Sequence, residues 1–114
     1  MVFCDRVDRV DVAGIGPKFE HAQYFPDRIN TEFIRVVNPT TIKMRVWERG
    51  SGETMACGTG ACAAVVAATA NGLCAKGSDV TVKVRGGDLL VNYTDERITL
   101  TGDAKLVYTG ETEY

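Results

Sequence analysis

The chain has 114 residues, 45% of them hydrophobic and 25% charged, with a formal net charge of −2. That is the size and composition of one soluble domain, at the small end of the range. Lysines and arginines are scattered rather than clustered, which argues against a nucleic-acid surface. Charge at Asp5 and Arg6, directly after Met1-Val2-Phe3, breaks any signal-peptide pattern, so a cytoplasmic setting is expected.

In chain order, Val2 to Val12 alternates loosely and reads as a strand end followed by a short helical turn. Gly14 to Pro17 reads as a turn and Lys18 to Gln23 as a short helix, which Phe25-Pro26-Asp27 breaks. Glu32 to Val37 is a strand candidate bounded by Asn38-Pro39. Thr41 to Glu48 is the cleanest strand: Ile42, Met44 and Val46 share one face, while Thr41, Lys43, Arg45 and Trp47 share the other. Period two carried one step further puts Glu48 on the apolar face. A carboxylate there is costly without a partner. Either the strand ends at Trp47 and Glu48 is solvated, or Glu48 lines a pocket and meets a cation.

The stretch from Trp47 to Gly72 carries the chemistry. Glu48 to Gly60 is a loop with four glycines and a cysteine, and Ala61 to Ala70 is an almost purely apolar segment ending at Asn71-Gly72. That segment reads as a helix buried on every side and is too short to span a bilayer. Asn71-Gly72 supplies a left-handed C-terminal cap, and Thr59 is the expected N-cap. Cys57 then stands just before the N-terminus of a buried helix. Unpaired N–H groups and a partial positive charge at such an end favour a thiolate and attract a carboxylate.

The other cysteines read differently. No CxxC occurs and His21 is the only histidine, so the spacings do not fit a structural zinc site. Disulfides do not suit a chain with no signal peptide and a sizeable apolar core. Cys62 reads as a small core residue; Cys4 and Cys74 read as incidental. After the helix the chain becomes a meander: Asp79 to Arg85, a hairpin turn at Gly86-Gly87-Asp88, then Leu89 to Tyr93, Ile98 to Thr101 and Lys105 to Thr109. The expected fold class is α+β: a curled, mostly antiparallel sheet wrapped round one buried small-residue helix.

At ERGSGETMACGTGACA, Glu48 to Ala63, the chain resembles diaminopimelate epimerase. Gly16-Pro17, Glu20 and Phe25-Pro26-Asp27-Arg28-Ile29-Asn30 are similar to a further segment of that family, and Asp103 to Gly110 to its closing strand. The resemblance covers nearly all of this chain but only half of a family protein. Family members have two similar halves, each giving one cysteine from a C-G-x-G loop, and no second such loop occurs here. The resemblance therefore implies a C-terminal half, with residues 1–102 as its domain and 103–114 as a closing strand that returns towards the other half.

What the resemblance implies for function is a cofactor-independent isomerase that interconverts LL- and meso-diaminopimelate, in lysine and peptidoglycan-precursor synthesis. Cys57 would be one of two acid/base thiols. Gly58 and Thr59 would bind the reacting α-carboxylate, Glu48 the substrate ammonium, and Arg49 with Asn30 the distal carboxylate. Tyr108 would lie near a dimer interface. No metal is implied. Two rivals stand beside this. The chain alone could be a non-catalytic fragment that at most binds an amino-acid carboxylate, or the protein could be a proline racemase-like isomerase. Arg49 argues against the latter, since a substrate with one carboxylate leaves the guanidinium unused. Unpaired sheet edges lead to an expectation of self-association as a homodimer.

Overall fold

The strand Thr41–Glu48 (β3) is the spine of the sheet, and its two faces sort the rest of the chain. The computed structural model describes all residues, 1–114. Before β3 come β1 (Val2–Phe3), a 3-10 turn at Val7–Arg9, the helix α1 (Val12–Glu20) and β2 (Thr31–Asn38). After it come β4 (Gly52–Thr54), the helix α2 (Gly58–Ala70), β5 (Asp79–Val84), β6 (Gly87–Tyr93) and β7 (Ile98–Thr101). The strands form one seven-stranded sheet in the order β1-β2-β3-β5-β6-β7, with β4 on β3. β1 pairs with β2 and β3 with β5 in parallel; every other pairing is antiparallel. No helix is long and apolar enough to cross a membrane.

Each face of the sheet covers its own cluster. On one side Ile34, Ile42, Met44, Val80, Val82 and Val91 pack against Ala61, Ala64, Val65 and Ala68 of α2. On the other, Val7, Val12 and Phe33 gather under α1, with Trp47 beside them. Ile34 and Ile42 are fully buried, a gain of about 1.5–3 kcal/mol each by transfer from water. The alanines let the helix axis come close to the strands where larger side chains could not fit.

Several expectations change. Gly14–Pro17 is not a turn. It lies inside α1, because Asp11 caps that helix with its Oδ1 accepting from Gly14 N at 3.1 Å. Helix α2 begins at Gly58 rather than Ala61, and it is buried on one side only. Gly60, Ala61, Ala64, Val65 and Ala68 face the sheet, while Thr59, Ala63 and Ala70 remain exposed. The apolar composition was read correctly, but the sheet curls over only half of the helix. The C-terminal cap forms as expected: Gly72 adopts φ +72°, Gly72 N donates to Thr69 O and Leu73 N to Ala68 O. The hairpin turn between β5 and β6 sits at Arg85-Gly86, one residue earlier than expected, since Val84 pairs with Gly87. Residues 102–114 belong to no strand, so the strand expected over Lys105–Thr109 does not form within this chain, and Leu106, Val107 and Tyr108 are exposed.

β4 was not foreseen in the sequence. Its hairpin with β3 is held by Arg45, which grips Glu53 with two bonds, Nε to Oε1 at 2.7 Å and Nη2 to Oε2 at 3.1 Å. The remaining nitrogen of Arg45 donates to the carbonyls of Val7 and Val10, at 3.2 and 2.8 Å. One guanidinium thus ties the N-terminal turn to the hairpin that leads into α2.

Two measurements follow. Ala64 is fully buried between α2 and the sheet whereas Ala63 is exposed. Ala64→Leu is therefore expected to destabilise by about 1–3 kcal/mol through overpacking, and Ala63→Leu by less than about 0.5 kcal/mol, both read from urea midpoints. The Arg45 hydrogen bond holds the Glu53 carboxyl below its ordinary value of 4.5. A carboxyl whose pKa is lower folded than unfolded stabilises the fold while ionised, so its contribution is complete above the unfolded value and is lost as pH falls through the folded one. The urea midpoint of the wild type should fall as pH drops below about 4.5, and Glu53→Gln should flatten that fall while lowering the plateau near neutral pH.

Candidate functional site

The site is built around the first turn of α2. Cys57 is itself the N-cap, in an extended conformation with φ −142° and ψ 109°, and its Sγ accepts from Gly60 N at 3.4 Å. Thr59, expected as the cap, is instead the second residue of the helix. Its hydroxyl stands 3.5 Å from the thiol. The first-turn N–H groups of Gly58 and Thr59 have no partner within the helix and point out of its end. Both glycines of the C-G-T-G stretch lie under the close approach of other side chains. A Cβ on Gly58 would meet Leu100 Cδ2 of β7 at 2.8 Å; one on Gly60 would meet Glu32 Oε1 at 2.9 Å and the Cys57 thiol at 3.2 Å. At residue 60 the absence of a side chain leaves room for both the thiol and the Glu32 carboxylate at the helix end.

Glu48 remains within β3, paired with Gly52, so the alternative in which the strand ends at Trp47 is set aside. Its side chain is half-buried and shares the face of Ile42, Met44 and Val46, as the alternation required. Within this chain its partner is a hydroxyl and not a cation: Thr54 Oγ1 donates to Glu48 Oε1 at 2.6 Å. The same hydroxyl lies 3.4 Å from the carbonyl of Ala56, next to the thiol-bearing residue. Thr54 thereby links Glu48 to the Cys57 loop.

Asn30 and Arg49 are brought together. Asn30 Oδ1 accepts from the backbone N–H of Arg49 at 2.7 Å, and Arg49 Nη1 donates to the Asp27 carbonyl at 2.9 Å. The guanidinium is exposed, and its other nitrogens make no hydrogen bond within this chain. Tyr108 is not part of this assembly; it stands in the exposed C-terminal segment.

Three residues of the site region escaped the reading of the sequence as chemistry. Thr54 sits in a short strand with too few residues to show alternation. Glu32, on β2, is 8% exposed and comes up against Gly60 at the end of α2; it pairs with Val46, which places it on the same face as Glu48. Glu20 is 4% exposed, at the last position of α1. It was visible only as part of a family spelling. The signal that could have raised it is a negative charge at a helix C-terminus, where the dipole favours cations.

Among the thiols, burial pushes Cys4, Cys62 and Cys74 up from the ordinary cysteine value. Cys74 belongs to the core cluster, so it is structural rather than incidental, and Cys62 is half-buried and packs against the edge of that core. Only Cys57 joins a helix N-terminus to flanking polar groups.

Comparison with known proteins gives a consistent picture. The family model described as diaminopimelate epimerase matches residues 1–110. Curated relatives named diaminopimelate epimerase include that of Bacillus cytotoxicus, 45% identical over 115 residues that take in 100% of this chain and 40% of the relative. That of Trichodesmium erythraeum is 50% identical over 96% of this chain and 40% of its own length, and that of Desulfovibrio desulfuricans 47% identical over 97% and 39%. This chain thus spans about 40% of the length of those relatives. Among solved structures, a Bacillus anthracis phenazine biosynthesis protein of the PhzF family superposes with a TM-score of 0.50 at 22% identity, over 72% of this chain and 27% of that one, a likeness of fold alone. With a family model over nearly every residue and half-identical relatives along its whole length, the chain belongs to the diaminopimelate epimerase family.

Proposed function

We propose that this chain supplies one of the two acid/base thiols of an epimerase that interconverts LL- and meso-diaminopimelate, the second thiol coming from the portion of the relatives that it does not span. The observation that carries this reading is Cys57 as N-cap of α2, with Glu48 on one side and the Asn30–Arg49 pair near it. The Cys57 thiolate takes the α-proton from one face of the substrate carbon, and a thiol on the opposite face returns a proton to the carbanion; in the reverse direction the roles exchange. No oxidation or group transfer is involved, so the proton balance closes. The N–H groups of Gly58 and Thr59, with the Thr59 hydroxyl, hold the reacting carboxylate and stabilise the charge that spreads onto it. Glu48 takes the ammonium, with Thr54 fixing its orientation. Arg49 and Asn30 take the distal carboxylate, and this is what selects a dicarboxylic substrate over proline.

Residues 103–114 are proposed to close onto the other half, which would cover the exposed Leu106, Val107 and Tyr108. A cytoplasmic homodimer with Tyr108 near the interface remains the expected assembly. One observation favours a second reading for the chain by itself. A single C-G-x-G thiol offers one proton carrier, so the isolated chain is a binding half without turnover.

The reading is tested in heavy water with LL-diaminopimelate. The chain alone should incorporate no appreciable deuterium at the α-carbon. The same chain joined behind the N-terminal portion of the Bacillus cytotoxicus relative should do so, and Cys57→Ser in that fusion should slow exchange by at least about 10²-fold. Exchange that is unchanged in Cys57→Ser, or a fusion that prefers proline, would remove the assignment.

A further inference from the structure

Glu20 ends α1 with a buried carboxylate at the end of the helix where negative charge is least favoured. It is tolerated because both oxygens are filled by donors. Oε2 accepts from Trp47 Nε1 at 2.7 Å; Oε1 accepts from Gly50 N at 3.1 Å and from Arg28 Nη1 at 3.2 Å. The other titratable side chain facing it is His21, whose Nε2 lies 3.9 Å from Oε1. These donors belong to two segments. Trp47 and Gly50 bracket Glu48 and Arg49, and Arg28 lies two residues before Asn30. Arg28 also holds φ +60°, a left-handed backbone that a non-glycine residue rarely keeps without tertiary restraint.

Packing closes the arrangement from the other side. Gly16, one turn before Glu20, lies flat against the indole, and a Cβ there would fall 2.4 Å from the Trp47 ring. The indole therefore cannot move away from Glu20 into α1. Loop 25–30 and the turn at Glu48–Gly50 are joined by two short polar contacts, Asn30 Oδ1 accepting from Arg49 N and Arg49 Nη1 donating to Asp27 O. Glu20 is the buried anchor beneath both.

We infer that Glu20 is a positioning residue for the distal grip: its carboxylate holds the Arg28–Asn30 loop and the Trp47–Gly50 turn at the spacing from which Asn30 and Arg49 seize a second carboxylate. This rests on the function proposed above for Asn30 and Arg49, but the clamp itself has a readout that needs no ligand. Glutamine keeps the size of the side chain and one acceptor oxygen, yet sets an NH2 group against either the indole N–H or the Gly50 N–H and Arg28 donors. Aspartate is too short to reach both segments.

The experiment uses the 114-residue chain, ¹⁵N-labelled, as wild type, Glu20→Gln, Trp47→Phe and the double variant. In Glu20→Gln the Arg49 amide should lose protection from hydrogen exchange by about ten-fold, while Val82 and Val91 amides in the core strands stay unchanged and show that the domain is folded. Trp47→Phe removes the donor that opposes the glutamine amide, so Arg49 protection in the double variant should return to within about three-fold of the Trp47→Phe variant. If Glu20→Gln leaves Arg49 and the Asn30 side-chain signals unmoved, or if core amides lose protection equally, the clamp is refuted. LL-diaminopimelate is then titrated. Affinity about ten-fold weaker in Glu20→Gln than in wild type supports the positioning role, and equal affinity overturns it while leaving the functional reading intact. If the wild type binds no diaminopimelate although Arg49 responds to Glu20, the functional reading of this half fails, the grip inference falls with it, and only the ligand-free clamp survives.

Discussion

Everything near the thiol depends on the alternation of β3. Its even positions, Ile42, Met44 and Val46, carry the core against α2, and the next step along that face is Glu48. Its odd positions carry Arg45, which grips the β4 hairpin, and Trp47, which meets Gly16 and Glu20. A one-residue slip in pairing with β2 would exchange these sets. It would bury two bulky polar-tipped side chains against the small-residue helix and turn the carboxylate outwards. The hydrophobic pattern that builds the core therefore also aims the polar site, and the two cannot be altered separately.

The glycines of the C-G-T-G run express a second constraint, this one of volume. Three bodies meet at the first turn of α2: the thiol folding back from the N-cap, the Glu32 side chain rising from β2, and Leu100 reaching across from β7. They fit because residues 58 and 60 contribute no side chain. A helix N-terminus is a general anion-binding device; here its mouth is narrowed by side chains from distant strands, so the sheet takes part in shaping it.

Much of this was legible in the residues. β3 announced itself through strict alternation, and its inward carboxylate was a visible anomaly that the Thr54 hydroxyl partly resolves. The Asn71-Gly72 cap was equally plain. What was hidden follows from long-range contacts. α1 runs through Gly14, Gly16 and Pro17, each a poor helix former, because Asp11 caps it and Gly16 is required against the indole; local propensity pointed to a turn. β4 is only three residues long, and Arg45 grips its central residue Glu53 from β3. The apolar stretch of α2 correctly implied close packing, but composition alone could not say that one flank would face outwards. Glu20 and Glu32 gave no periodic signal, since a lone acidic residue at a helix end or in a strand is ordinary until its neighbours in space are known.

The parallel pairing of β3 with β5 places the whole thiol segment inside a long chain closure. Thr41 lies beside Thr81, so β4, the Cys57 loop and all of α2 form the connection between two neighbouring strands. Closing such a connection costs chain entropy before the contacts that offset it exist. The β2–β3 pair, joined by the short turn at Asn38-Thr41, needs no such closure. The order of assembly implied is a local hairpin first and the crossover afterwards. The first turn of α2 therefore lies within a closure that is complete only when β5 seats against β3, with β4 already paired to that strand from inside the same segment.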